Sequence, residues 1–177
     1  SRHRQTVLVT GSAKRVGRAL AIAFAKEGYD IILHFNHSKD EIKHVQNIVK
    51  QYGQNGYLWQ ADLSKHDLDL SIVKAHQIDL IINCAASFFD DEVVDNDQQI
   101  KDKQWHINFI SPLKLIEQYI QSQRHGHIIN ILDNAITRND SPHNHYLMTK
   151  KLLKKNSRKC LMRSAQHPSR HFARESE

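Results

Sequence analysis

A chain of 177 residues, 40% of them hydrophobic, suits one domain with a substantial core, and no run of about 18 apolar residues offers a membrane span. Two cysteines, Cys84 and Cys160, lie in unlike surroundings and suggest no disulfide framework; Ser1 to Gln5 lead into an apolar run without a signal-peptide pattern, so a cytoplasmic protein is expected. The net charge of +6 sits in the last 27 residues, which carry eight Lys and Arg against Glu175 and Glu177; residues 1–150 sum to zero and give no reason to expect a nucleic-acid partner.

In chain order, Val7-Leu8-Val9 reads as a strand buried on both faces. Gly11 permits a tight turn, and Gly17 opens an Ala-rich helical pattern that runs to Lys26 and stops near Gly28. Strand, glycine turn and helix N-terminus together bring backbone N–H groups and a positive dipole end to one point, a site for a phosphate group. The frame is Gly11-x-x-x-Arg15-x-Gly17, without the usual middle glycine, and on these residues alone the glycines could serve packing only. Tyr29 to Phe35 is a second buried strand, and Lys39 to Gln51 a helix with Ile42, Val45, Ile48 and Val49 on one face. Gly53 and Gly56 bracket a turn before a third strand, Tyr57 to Ala61, which ends at Asp62-Leu63. A short helical link holds Leu68, Leu70, Ile72 and Val73, and Ile78 to Asn83 is a fourth strand.

An acidic loop, Asp90 to Asp97, reads as solvated rather than as a cation site. A long helix follows from about Gln98 to Gln123, with Pro112 as a local kink, and Gly126 to Leu132 forms a fifth strand. A polar loop, Asp133 to Asn144, precedes a helix from about His145. Strands alternating with helices predict an α/β fold, a doubly wound parallel sheet of Rossmann type over residues 1–153. Residues 154–177 offer no apolar run for a further central strand and read as a basic, irregular tail. His125-x-His127 and His143-x-His145 have metal-binding spacings but no third ligand, so no metal is expected.

Ligands of open α/β sheets bind beyond the carboxyl ends of the strands. There stand Gly11 to Gly17, Asn36-His37-Ser38, Asp62-Leu63, Asn83 to Phe89, and Asp133. Tyr146 and Lys150 fall at i and i+4 on one helical face; an ammonium beside the phenol favours the phenolate and suits the tyrosine to proton transfer near neutral pH. No carboxylate stands at positions 36–38, where one usually holds the ribose hydroxyls of NAD, so polar donors with Arg15 and Lys14 favour NADPH over NADH.

The combination of Thr10-Gly11-x-x-x-Arg15-x-Gly17, Asn83-Cys84-Ala85-Ala86, Asn108 and Tyr146-x-x-x-Lys150 resembles the short-chain dehydrogenase/reductase family. More narrowly it is similar to the pteridine reductases and dihydromonapterin/dihydrofolate reductases, through Arg15, Ser87-Phe88-Phe89 and Asp133. The resemblance covers about residues 5 to 155. It implies an NADPH-dependent oxidoreductase that transfers hydride to a pterin, and a homo-oligomer, dimer or tetramer. By the same resemblance Tyr146 is the proton donor, Lys150 lowers its pKa and holds the nicotinamide ribose, Asp133 supports the donor, and Asn108 holds a relay water. NADPH/NADP+ would lie against Gly11, Lys14, Arg15, Val16, Gly17, Asn36, His37, Ser38, Asp62, Leu63, Asn83, Ala85, Tyr146 and Lys150. The substrate would lie against Arg15, Ala86, Phe88, Asp133 and Tyr146. His37 stands where this branch usually has arginine, and Cys84 replaces its second asparagine, a change read as packing. The alternatives are a reductase of another carbonyl or enoyl substrate, or a catalytically impaired dinucleotide-binding remnant, because the family's later strands are not recognisable after Leu153. Nucleic-acid binding through the basic tail is the weakest alternative.

Overall fold

The computed structural model describes residues 4–85, 97–122 and 127–130, with the side chain of His127 excepted. Five strands, β1 (Thr6–Val9), β2 (Asp30–Phe35), β3 (Gly56–Gln60), β4 (Leu80–Asn83) and β5 (His127–Asn130), form one parallel sheet in the order β3-β2-β1-β4-β5. Helices α1 (Arg15–Lys26), α2 (Lys39–Gln51) and α3 (Ser71–Ala75) connect the strands, followed by α4 (Gln98–Trp105) and α5 (Ser111–Ser122). The order reverses at β1, so the crevice between the ends of β1 and β4 is the switch point where such sheets bind ligands. The fold is the expected Rossmann-type α/β arrangement.

Every residue of β1 and β2 is buried, as befits central strands covered on both faces. Alternation divides them. Val7, Val9, Ile31, Leu33 and Phe35 pack with Ala21 and Ala25 of α1 and Ile42, Val45 and Val49 of α2. Leu8, Ile32, Trp59 and Ile81 face the other way, onto Val73 of α3 and Leu115 and Tyr119 of α5. Alanines on the buried face of α1 let that helix lie close to the sheet, which brings its N-terminus to the end of β1.

Several boundaries depart from expectation: β4 begins at Leu80 rather than Ile78, and the link helix is confined to Ser71–Ala75, leaving Leu68 and Leu70 outside it. The first helix begins at Arg15, two residues before Gly17, because the turn already closes at Lys14. Gly56 belongs to β3 and pairs with Ile31, so the turn is carried by Gly53 at φ 78°. The long helix is not one α-helix: His106–Ile110 widens into a π turn between α4 and α5. Pro112 explains the break, since its ring crowds the Asn108 carbonyl one turn back and it has no N–H to offer there. Ser111 ties the widened turn to the loop after β3, its hydroxyl donating to the Leu63 carbonyl at 2.6 Å.

Ala86, Phe88, Asp133, Tyr146, Lys150 and the tail 154–177 lie outside the described residues. No helix among the described residues is long and apolar enough to cross a membrane.

Candidate functional site

The site is built on the turn from Thr10 to Gly17. Gly11 takes φ 64°, a conformation that favours glycine, and a Cβ there would stand 3.0 Å from the Ala85 backbone. A Cβ on Gly17 would fall onto the Gly11 carbonyl oxygen. Both glycines are therefore required by close approach, and the packing alternative is true of them as well: the packing is what shapes the turn. Arg15 also takes a positive φ, 51°, in the place where the commoner fingerprint has its middle glycine. A side chain at that φ is strained, and such strain concentrates at binding sites.

Polar clamps hold this turn on both sides. On the β4 side, Thr10 Oγ1 accepts hydrogen bonds from the N–H groups of Cys84 at 2.9 Å and Ala85 at 3.0 Å. On the β2 side, the N–H and hydroxyl of Ser12 both donate to the His34 carbonyl, at 3.0 and 2.9 Å. The His34 ring lies in the same clamp. Its Nδ1 is 2.9 Å from the Gly11 nitrogen and its Nε2 is 2.9 Å from the Ala61 carbonyl oxygen. Burial pulls its pKa down to about 4, against the opposing pull of the Ala61 carbonyl.

The N-terminus of α1 is open to a ligand. Lys14, its capping residue, makes no side-chain cap, and the first turn carries no acidic residue. By contrast, Asp97 caps α4 by accepting from the Gln99 and Ile100 N–H groups. Exposed Lys14, Arg15 and Val16 surround the open end of α1, with Gly17 buried beneath them. These features fit a phosphate group: first-turn N–H donors with no side-chain cap among the described residues, a dipole of the right sign, and a floor kept low by glycine. An open pocket of about 610 Å³ runs from here toward α2, lined by Lys14, Arg15, Arg18, Asp40, Glu41 and His44. Lys14 Nζ lies 3.6 Å from Glu41 Oε1 across it.

The remaining described residues gather at the strand ends. Asn36 is half-buried and tied to β3 by Gln60 Nε2, which donates to its carbonyl at 3.0 Å. His37 is exposed, and Ser38 makes no capping bond to α2, whose first turn holds Asp40 and Glu41. Asp62 is partly buried, which opposes its charge, but hydrogen bonds from the Ser64 hydroxyl and N–H, with Lys65 and His37 nearby, outweigh this and hold its carboxyl below the usual value. Leu63 is buried beside it. Asn83 and Asn130 face each other across β4 and β5, the Asn83 amide donating to Asn130 Oδ1 at 2.9 Å. Asn83 Oδ1 is buried with no hydrogen-bond partner among the described residues. Asn108 is fully buried in the π turn.

Sequence reasoning passed over His34. The available signal was a lone imidazole inside the apolar run Ile31-Ile32-Leu33-His34-Phe35, where a polar group must find partners. Among the described residues no three His, Cys, Asp or Glu are grouped to hold a metal ion.

Comparison with known proteins agrees with this fold. The solved structure of FolM alternative dihydrofolate reductase 1 from Brucella suis, in complex with NADP, superposes with a TM-score of 0.81 at 28% identity, covering 91% of this chain and 70% of that one. A 3-oxoacyl-acyl-carrier-protein reductase, FabG, of Staphylococcus epidermidis is 27% identical over 139 residues, 72% of this chain and 55% of the relative. An uncharacterized oxidoreductase of Schizosaccharomyces pombe is 28% identical over 108 residues, 58% of this chain and 37% of the relative. The chain thus spans about half the length, or less, of these two curated relatives. The profile of the short chain dehydrogenase family matches residues 5–167, and with the clamped glycine turn at the switch point of a parallel sheet the chain belongs to that family.

Proposed function

We propose that this chain is an NADPH-dependent reductase acting on a pterin or dihydrofolate-like ring. The observation that carries the reading is the uncapped N-terminus of α1, with Arg15 at φ 51° and Lys14 beside it. Support for the branch comes from the likeness to the structure of a dihydrofolate reductase in complex with NADP, and from Arg15, Phe88 and Asp133 in the sequence.

On this reading the N–H groups of α1 hold the pyrophosphate. Lys14, Asn36, His37 and Ser38 hold the adenosine ribose and its 2′-phosphate, and Asp62 and Leu63 border the adenine. Asn83 and Ala85 line the way to the nicotinamide. When bound, the cofactor supplies a hydride to a ring carbon. Tyr146 gives the proton to the neighbouring nitrogen, and the Lys150 ammonium stabilises the phenolate left behind. Asp133 supports the donor, and Asn108 holds a water through which Tyr146 is reprotonated. Phe88 and Arg15 flank the substrate ring.

The FabG relatives favour a second reading, in which the substrate is a 3-oxoacyl thioester and Tyr146 protonates a carbonyl oxygen. Absorbance at 340 nm, with dihydropterin, dihydrofolate or acetoacetyl thioester as acceptor, distinguishes the two. Faster oxidation of NADPH with the pterins supports the first reading, and preference for the thioester replaces it by the second. Tyr146→Phe should abolish turnover while NADPH still binds; unchanged turnover would remove Tyr146 from the mechanism.

A further inference from the structure

We infer that His34 is the positioning residue of the phosphate turn: as the neutral Nε2–H tautomer it latches the Gly11 backbone to the Ala61 carbonyl and thereby sets the approach of α1 to a bound dinucleotide. The clause about the dinucleotide rests on the function proposed above; the latch itself rests on geometry.

The tautomer follows from the partners. A carbonyl can only accept, so Nε2 must carry the proton that Ala61 receives at 2.9 Å. A backbone N–H can only donate, so Nδ1 must be the bare nitrogen that meets Gly11 at 2.9 Å. One neutral form satisfies both. The ring is 3% exposed and rests against Trp59, with centroids 5.1 Å apart, so it has little room to turn. Three strand ends therefore meet in one side chain: β1 through Gly11, β2 through His34 itself, and β3 through Ala61. Ser12 adds two bonds to the His34 carbonyl, so the same residue grips successive positions of the turn with ring and backbone. The latched N–H is not one that can face a phosphate. Its role is to hold Gly11 so that the Gly11 carbonyl meets the bare face of Gly17, against which a Cβ would collide.

Two substitutions separate the halves of the latch. In His34→Asn, Oδ1 lies near the place of Nδ1 and can accept from Gly11, while the Ala61 bond is lost. In His34→Gln, the amide nitrogen lies near the place of Nε2 and can donate to Ala61, but Gly11 loses its acceptor. The full chain carrying each variant is titrated with NADPH, and amide exchange is followed at Gly11 to Gly17. His34→Gln is expected to raise the NADPH dissociation constant and the Gly11 exchange rate by about tenfold, the effect of one buried hydrogen bond. His34→Asn, which keeps the acceptor for the Gly11 N–H and loses the Ala61 bond, is expected to leave Gly11 exchange within about threefold of wild type. Equal acceleration of Gly11 exchange in the two variants would overturn the latch, because a general packing role predicts no rescue by Asn. Wild-type chain that binds neither NADPH nor NADH, with the exchange pattern as expected, would remove the dinucleotide clause and leave the latch standing. Should His34→Gln not fold, nitrogen NMR of the wild-type chain decides: a through-hydrogen-bond coupling between the Gly11 amide and His34 Nδ1 supports the latch, and its absence refutes it.

Discussion

Two residues that shape the glycine turn, His34 beside it on β2 and Arg15 within it, are held in costly states. His34 is neutral because burial lowers its pKa from 6.5 to about 4. Between those values the unfolded chain takes up a proton that the folded chain refuses, so stability is full above pH 6.5 and falls as the pH drops toward 4. The loss attributable to this one group is on the order of 3 kcal/mol across that window. Denaturant titrations from pH 7 to pH 4 should show it, and His34→Asn should flatten the slope. Arg15 bears a different cost. A left-handed conformation disfavours an L side chain by roughly 1–2 kcal/mol, of which glycine's extra backbone freedom offsets about 0.5–1. Arg15→Gly is therefore expected to stabilise the fold by about 0.5 kcal/mol, read as the change in unfolding free energy. If Arg15 contacts the dinucleotide, the same change weakens NADPH binding at least about tenfold, the scale of a charge-assisted hydrogen bond.

At the scale of elements, β1, its turn and α1 act as one unit because Gly17 lets the helix start close against the Gly11 carbonyl. Gly17→Ala puts a methyl group where backbone already stands, and neither partner is the mobile end of a side chain. A destabilisation of about 3 kcal/mol, the upper range for overpacking, is expected, with loss of NADPH binding in whatever folds. Thermal unfolding and titration check it, and a wild-type melting temperature would show that the close approach is not real. The π turn is the second element whose form matters. Pro112 breaks the α-helical ladder beside Asn108, and Ser111 pins the break to Leu63, so a buried asparagine is held at a site where a regular helix would have turned it elsewhere.

For the whole molecule, a ligand that binds only the folded state must raise its stability by mass action. NADPH at a hundred times its dissociation constant should add about 2.7 kcal/mol. For a chain of this length that corresponds to a rise in melting temperature of about 5–10 °C. NADH at the same concentration should give a smaller rise, because no group at positions 36–38 carries the carboxylate that its ribose favours. A larger shift with NADH in scanning calorimetry would reverse the assignment of the cofactor.

By itself the sequence determined the α/β class, the five described strands and the place of the glycine turn, since each depends on residues close together along the chain, and the family through short motifs spread from Thr10 to Lys150. Apolar runs, helical periodicity and glycine spacing are local signals, and a buried parallel strand such as Ile31 to Phe35 declares itself by composition. The candidate positions from Gly11 to Ala85 were placed at the strand ends for the same reason: strand ends in an open sheet converge on one edge whatever their side chains. Tertiary structure decided what those positions do to one another. His34 meets Gly11 and Ala61 across 23 and 27 residues, and Asn83 meets Asn130 across 47, through strand register that no local pattern specifies. Arg15 takes its positive φ in a turn that Thr10 and Ser12 anchor to two neighbouring strands, and Ser111 pins the π turn to the Leu63 carbonyl 48 residues away. Propensity governs the elements, whereas the clamps that shape the site come from pairings at long range.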